Sequence, residues 1–296
     1  MTEELVIVSG KGGTGKTSLT LAFATLAENV LLVDCDVDAS DMHLICKPEI
    51  ISKTDFYSAK KAVIDYSKCT ECGKCAQLCR FDAINAAIEI DEVGCEGCAV
   101  CAAFCPEKAI VMQDAHTGEW YISKTRFGKL VHAKLGIAEE NSGKLVATVK
   151  RAARILAKEE DSQLIIADGP PGIGCPVIAS ISGANLALIV CEPTESSYQD
   201  MVRLSELLDH FRIKTAVCIN KYDIVPEMTA KISQFSCSNK IAVIGKIPYN
   251  GVFNKAQMVQ QSVIEFEQSY VTESIRQAWN NIKSLMEDLR NERKTK

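Results

Sequence analysis

The chain of 296 residues predicts an α/β fold, a doubly wound and mostly parallel sheet interrupted by a small inserted α+β lobe. Three observations carry this. Short apolar, β-branched runs at 5–8, 30–33, 164–167, 186–190, 215–219 and 241–244 suit strands buried on both faces. The first of them leads into Gly10-Lys11-Gly12-Gly13-Thr14-Gly15-Lys16-Thr17 and then a helical pattern. Eight of the 14 cysteines fall in two copies of C-x2-C-x2-C-x3-C, 26 residues apart.

Leu5–Val8 reads as the first buried strand, and Lys16 to Glu28 as a helix with Leu19, Ala22, Phe23 and Leu26 on one face. Strand, GxxxxGK[ST], helix is the context in which such a loop cradles phosphate. Gly10, Gly12, Gly13, Thr14 and Gly15 supply backbone N–H groups, and Ser18 completes the expected nucleotide-binding set. Lys16 is expected on the β/γ oxygens and the Thr17 hydroxyl on Mg²⁺. Val30–Val33 ends in Asp34-Cys35-Asp36-Val37-Asp38, which puts carboxylates at the carboxyl end of a strand, where open α/β sheets bind ligands. Asp34 and Asp38 are equally readable as supporting or capping groups. Leu164–Ala167 leads into Asp168-Gly169-Pro170-Pro171-Gly172, and Asp168 is the expected second contributor to Mg²⁺.

Lys11 narrows the reading. KGGTGKT resembles the deviant Walker A motif of the MinD/ParA/Mrp/nitrogenase-iron-protein class of P-loop ATPases. The resemblance implies ATP/ADP and Mg²⁺ as ligands, hydrolysis, and ATP-dependent dimerisation, with Lys11 reaching the nucleotide of its partner. That partner is a second copy or a paralogue. Asp36 looks like the aspartate that orients the attacking water, with Asp41 a second candidate, and Asp168-Gly169-Pro170-Pro171-Gly172 looks like switch II. Cys218-Ile219-Asn220-Lys221 resembles the adenine-reading segment, with Asn220 on the base. Ile247-Pro248-Tyr249 resembles the loop packing on the adenine ring.

Cys69, Cys72, Cys75 and Cys79 form the first cysteine run, and Cys95, Cys98, Cys101 and Cys105 the second, followed by Pro106. Ala83-Ile84 and Ala109-Ile110 repeat at the same offset. This resembles the bacterial two-cluster ferredoxin, in which the fourth cysteine of each run ligates the other cluster. The resemblance implies one [4Fe-4S] cluster on Cys69, Cys72, Cys75 and Cys105, and another on Cys95, Cys98, Cys101 and Cys79. Zinc is the competing reading, since paired C-x2-C knuckles also make thiolate sites, though usually with two cysteines per knuckle. Arg80 departs from the pattern by standing where proline is usual. With Phe127–His132 and Glu139–Leu145 following, the whole resembles MinD-superfamily ATPases that carry an inserted ferredoxin domain.

The expected organisation is an ATPase domain from 1–60 and 114–296, with the inserted lobe at 61–113. Between Lys61 and Gln113 five basic and eight acidic residues give a net charge of −3, suited to a basic redox partner. Formal net charge over the chain is −5, so attraction to nucleic acid or anionic membrane is not expected. No run of 18 apolar residues is free of charge and no leader is evident, so a cytoplasmic protein is expected. Among the other cysteines, Cys191 and Cys218 read as small apolar fillers, while Cys35, Cys46 and Cys237 lack partner spacing. Cys175, seven residues beyond Asp168, resembles in spacing the cysteine with which the nitrogenase iron protein helps hold a cluster between subunits, but no cysteine between residues 106 and 174 offers the second ligand that such a cluster needs. His43, His116, His132 and His210 form no metal motif. The stripe Val271, Ile275, Trp279, Ile282, Leu285, Met286, Leu289 fits a helix docked on its own domain better than a membrane helix. Three functions follow: an ATP-driven redox switch, a carrier or assembly factor for metal clusters, or a positioning ATPase with structural clusters.

Overall fold

The computed structural model describes residues 2–136 and 142–294, so Glu139, Glu140 and Asn141 of the Glu139–Leu145 segment lie outside the described residues. The chain opens with β1 (Glu3–Ser9), buried along its length, followed by α1 (Lys16–Leu26) and β2 (Val30–Asp34). A single turn-and-a-half, α2 (Met42–Cys46), precedes β3 (Glu49–Ile64). Two short helices follow, α3 (Lys74–Leu78) and α4 (Val100–Ala103), each beginning inside a cysteine run. The chain then returns along β4 (Ile110–Thr125) and turns at Arg126-Phe127 into β5 (Gly128–Leu135). The second half alternates regularly: α5 (Ser142–Glu159), β6 (Leu164–Pro171), α6 (Cys175–Ile181), β7 (Leu186–Cys191), α7 (Glu195–His210), β8 (Lys214–Asn220), α8 (Pro226–Ser238) and β9 (Ala242–Ile247). Three helices close it, α9 (Val252–Met258), α10 (Val263–Phe266) and α11 (Tyr270–Lys294).

The strands form one nine-stranded sheet in the order β3-β4-β5-β2-β6-β1-β7-β8-β9. From β5 to β9 every recorded pairing is parallel. β1 lies between β6 and β7, so the loop after it emerges at the centre of the sheet, where the direction of winding reverses. That is where doubly wound sheets open a crevice at the carboxyl ends of their strands. The six strands expected from the apolar runs are all present. β3, β4 and β5 extend the sheet beyond them.

The chain divides into two compact units. The larger holds 1–53, 120–133 and 142–296, and the smaller 54–119 and 134–141. The expected lobe of 61–113 lies inside the smaller unit, which starts earlier and ends later because the long strands β3 and β4 carry the chain between the two. In the larger unit α11 buries Val271, Ile275, Ala278, Trp279 and Ile282, as the helical spacing predicts. Trp279 stacks on Phe23 of α1 with ring centroids 5.6 Å apart, which fixes the back of the helix whose front carries the glycine-rich loop. In the smaller unit Ala62, Ile64, Ile88 and Ile110 form a separate core, with Cys69, Cys75, Cys95, Cys101 and Cys105 packed against it.

Candidate functional site: a phosphate loop and two cysteine cradles

Glycine is required in the loop for identifiable reasons. Gly13 and Gly15 have φ of 79° and 88°, in the left-handed region that other residues avoid. A Cβ on Gly15 would also meet the Asn220 amide nitrogen at 2.4 Å, and one on Gly10 would meet the Asp200 Cβ at 2.0 Å. Lys16, 7% exposed, points to Asp168, with its Nζ 2.9 Å from Oδ1, and lies 3.8 Å from Asp36 Oδ2. Thr17 Oγ1 donates to Asp168 Oδ2 at 2.6 Å and Thr20 Oγ1 to Oδ1 at 2.9 Å. Ser18 is half-buried in the first turn of α1. Thr14 Oγ1 is buried without a hydrogen-bond partner, so the protein alone leaves this loop incompletely satisfied.

Electrostatics in this crevice are dominated by burial. Desolvation opposes the charge on Lys16, but Asp168, then Asp36 and Asp34, outweigh it and hold the ammonium above its ordinary pKa. Asp34 is buried beside Asp168, and desolvation with that like charge pushes its carboxyl up to about 7. Asp34 also shapes the loop after β2: its Oδ1 accepts from Asp36 N–H at 3.0 Å and its Oδ2 from Ser40 Oγ at 2.6 Å. Burial likewise raises Asp36, against the pull of Lys16. Asp38 and Asp41 are exposed, and Asp41 makes no side-chain cap at the start of α2.

Two residues sit differently from a simple reading of their motifs. In this single chain Lys11 is engaged by its own subunit, with Nζ 2.8 Å from Glu192 Oε1 and bonds to Thr194 and Ser196 hydroxyls at 3.3 and 3.2 Å. Asn220 is 4% exposed and donates from Nδ2 to Thr14 C=O at 2.8 Å, so its amide supports the glycine-rich loop. Lys221 donates to Gly13 C=O at 3.0 Å and pairs with the second Glu192 oxygen at 2.8 Å. Pro248 is buried after β9, and the next residue, Tyr249, donates its N–H to Asp223 Oδ1 at 2.6 Å. Glu192, Thr20, Ser40 and Lys221 were not anticipated as site residues. Glu192 and Lys221 follow directly on β7 and β8, the position that marks ligand residues in such sheets.

The smaller unit holds two small cavities. The first is lined by Cys69, Cys72, Cys75 and Cys105, with Ile64 and Ile110. The second is lined by Cys79, Cys95, Cys98 and Cys101, with Ile84 and Met112. In each, three cysteines come from one run and the fourth from the other. All eight thiols are free. Close packing requires glycine again at Gly97, where φ is 64° and a Cβ would lie 2.0 Å from Lys60 C=O. Four thiols around a small, mostly apolar cavity fit a tetrathiolate iron–sulfur cluster, which is soft and compact.

The remaining cysteines divide by burial. Cys35, Cys46, Cys191 and Cys218 are buried, and desolvation raises their pKa, to about 12 for Cys46 and Cys218. Such thiols are poor nucleophiles and fill the core. Cys175 and Cys237 are exposed, Cys175 at the first turn of α6. His116 lies 3.4 Å from Asp55 and 4.0 Å from Glu119. His132 is stacked on Tyr121 and bonded to Ser123 Oγ at 2.9 Å. Among the described residues no helix is long and apolar enough to cross a membrane.

Comparison with known proteins agrees with this geometry. The model of the CobQ/CobB/MinD/ParA nucleotide binding domain matches residues 5–263. The chain is 30% identical over 288 residues to the uncharacterized protein MJ0578 of Methanocaldococcus jannaschii, covering 96% of this chain and 97% of the relative. It is 26% identical over 230 residues to MJ0579 of the same organism, covering 74% and 80%. A shorter match, 39% over 62 residues, is to pyruvate synthase subunit PorD of Methanothermobacter marburgensis, covering 21% of this chain and 76% of PorD. In structure it is similar to the septum site-determining protein MinD of Pyrococcus horikoshii OT3, complexed with Mg-ADP, at a TM-score of 0.59 and 16% identity over 96% of this chain and 97% of that one. At that identity the likeness is one of fold, the α/β P-loop NTPase fold with its mostly parallel sheet.

Proposed function

Because the chain belongs to the CobQ/CobB/MinD/ParA nucleotide-binding family, we propose that it is an ATPase in which ATP-dependent dimer closure is coupled to electron transfer through two [4Fe-4S] clusters. The observation that carries this reading is the sorting of eight cysteines into two cavities, three from one run and one from the other in each. The match to a pyruvate synthase subunit supports a redox setting.

The nucleotide half follows from the loop. Gly10 to Thr17 wrap the phosphates, and the buried Thr14 hydroxyl finds an acceptor among their oxygens. Lys16 would shift from Asp168 toward the β/γ oxygens, while Thr17 and Asp168 would hold Mg²⁺, which would screen the phosphate charge. Asp36, held by Ala39 N–H at 3.3 Å, orients a water for attack on the γ-phosphorus, and ADP leaves. Lys11 exchanges Glu192 for the nucleotide of the partner, a second copy or a paralogue of the kind that MJ0578 and MJ0579 form in one organism. From Asp36 the chain runs through α2 directly into β3, so a change in that loop is transmitted along the same stretch of chain that enters the smaller unit.

In the redox half the eight cysteines hold the clusters, which supply one-electron transfer when bound. The acidic surface of the smaller unit suits a basic donor or acceptor protein. A second reading, delivery of a cluster to an acceptor, is favoured by one observation: Cys72 and Cys98, one per cavity, are exposed. Protein prepared without oxygen tests the proposal. About eight irons and eight sulfides per chain, together with Mg²⁺-dependent ATP hydrolysis, are expected. Iron-free protein with full ATPase activity contradicts it. Loss of iron to an apo-acceptor on addition of ATP selects the carrier.

A further inference from the structure

The cysteine block is an internal duplication, so each half serves as the control for the other. The 26-residue offset pairs Thr70 with Glu96, Lys74 with Val100, and Glu107 with Phe81. All six residues line a cavity, three in each. The charges of Lys74 and Glu107 offset each other on the wall of the first cavity. The second has Glu96 and no cation on its wall. Arg80, the counterpart of Pro106, is drawn instead to the Phe81 ring, 4.8 Å from its centroid.

Hydrogen bonding differs in the same sense. Glu71 N–H donates to Cys69 Sγ at 3.4 Å, and Ala109 N–H to Cys105 Sγ at 3.3 Å. Both sulfurs belong to the first cavity. Gly97 and Ala83, the counterparts of these donors, make no such bond among the described residues.

Reduction adds negative charge at the sulfurs and iron, so N–H dipoles aimed at sulfur and a neighbouring cation favour it, and an uncompensated carboxylate opposes it. Resting on the reading that these cysteines hold [4Fe-4S] clusters, we propose that the two sites are unequal, the Cys69/Cys72/Cys75/Cys105 site having the higher potential and the other the lower. An electron taken from a low-potential one-electron donor at the second site passes to the first, the second being reoxidised as the first is reduced, with no atom transferred. Direction is thus built into the lobe: entry at the second site, rest and exit at the first.

Potentiometric titration of the oxygen-free holoprotein, followed by electron paramagnetic resonance at low ionic strength, tests this. Two steps are expected. Glu96→Gln raises the lower midpoint and leaves the higher one in place, while Lys74→Gln lowers the higher midpoint alone. Both side chains are exposed, so neither change threatens folding. A single unresolved midpoint in fully loaded protein, or Lys74→Gln moving the lower step, overturns the inequality while leaving the clusters intact. Absence of iron and of any resonance takes down the cluster reading and this inference together.

Discussion

The Lys11 ammonium lies 2.8 Å from the Glu192 carboxylate of its own chain, and Lys221 occupies the other Glu192 oxygen at the same distance. Both lysines hold Glu192 below the usual carboxylate range, against the effect of burial. Because Lys221 stays in place, Lys11 can depart without leaving the carboxylate unpaired. Glu192 is therefore a retainer for the lysine expected to cross the dimer interface. Glu192→Gln removes a partly exposed pair worth about 1 kcal/mol, so the ATP concentration for half-maximal dimerisation falls about fivefold. Sedimentation velocity against ATP concentration reads this directly. An unchanged or higher requirement assigns Glu192 to support of the loop alone.

Lys16 and Asp168 form a buried pair, 7% and 1% exposed. Removing Asp168 leaves the buried Lys16 with Asp36 alone, 3.8 Å away, a loss of up to about 3–5 kcal/mol. Asp168→Ala is expected to lower the midpoint of urea unfolding strongly and to abolish Mg²⁺-dependent hydrolysis. Thr17→Ala removes one hydrogen bond from the same carboxylate and costs about 1 kcal/mol while also losing Mg²⁺ dependence. Equal stability losses in the two variants would argue against the asymmetry of this network.

Membership of each cysteine in a cavity, rather than in a sequence run, makes an unusual pairing. Cys69→Ala with Cys105→Ala damages one cavity, although the residues belong to different runs. That double variant is expected to retain about four irons per chain. Cys95→Ala with Cys105→Ala damages both cavities and is expected to lose nearly all. The reverse ranking would mean that each run binds its own cluster.

His132 provides a pH test away from either site. Burial, then the nearby His43, lowers its pKa from 6.5 to about 4. The unfolded chain therefore binds the extra proton between pH 6.5 and 4, and stability falls as pH falls through that window. The contribution, at most about 3 kcal/mol, is complete above pH 6.5 and lost below 4. His132→Gln is expected to flatten the acid limb of a stability–pH curve measured by chemical denaturation. An undiminished slope would place the acid sensitivity elsewhere.

How far the sequence reveals the molecule depends on the range of the interaction. β1, β2 and β6–β8 are legible because strands buried on both faces are apolar nearly throughout, while β9, at the sheet edge and partly exposed, is legible only from its apolar start. β3 is hidden because most of its 16 residues are exposed and follow no clean alternation. Its Ile, Thr, Phe, Tyr and Val residues favour a strand, but without alternation they do not mark where it runs, and the cysteine repeat marks only the interior of the lobe. Local chemistry also reads well: Gly13, Gly15, Lys16 and Thr17 work within one turn of chain. Lys11 with Glu192, or Asn220 with Thr14, depends on loops brought together from distant parts of the sequence, 206 positions apart for the latter. The one signal in the sequence that could mark Glu192 and Lys221 is their place directly after β7 and β8, at the carboxyl ends of parallel strands.

The central claim is that nucleotide state and cluster state are coupled. The decisive measurement is the midpoint potential of the clusters in wild-type and Lys16→Ala protein, with and without Mg-ATP, at constant iron content. A shift with Mg-ATP in the wild type that vanishes in Lys16→Ala is the predicted result. Identical potentials under all four conditions, in protein that binds ATP and retains its iron, would contradict the account.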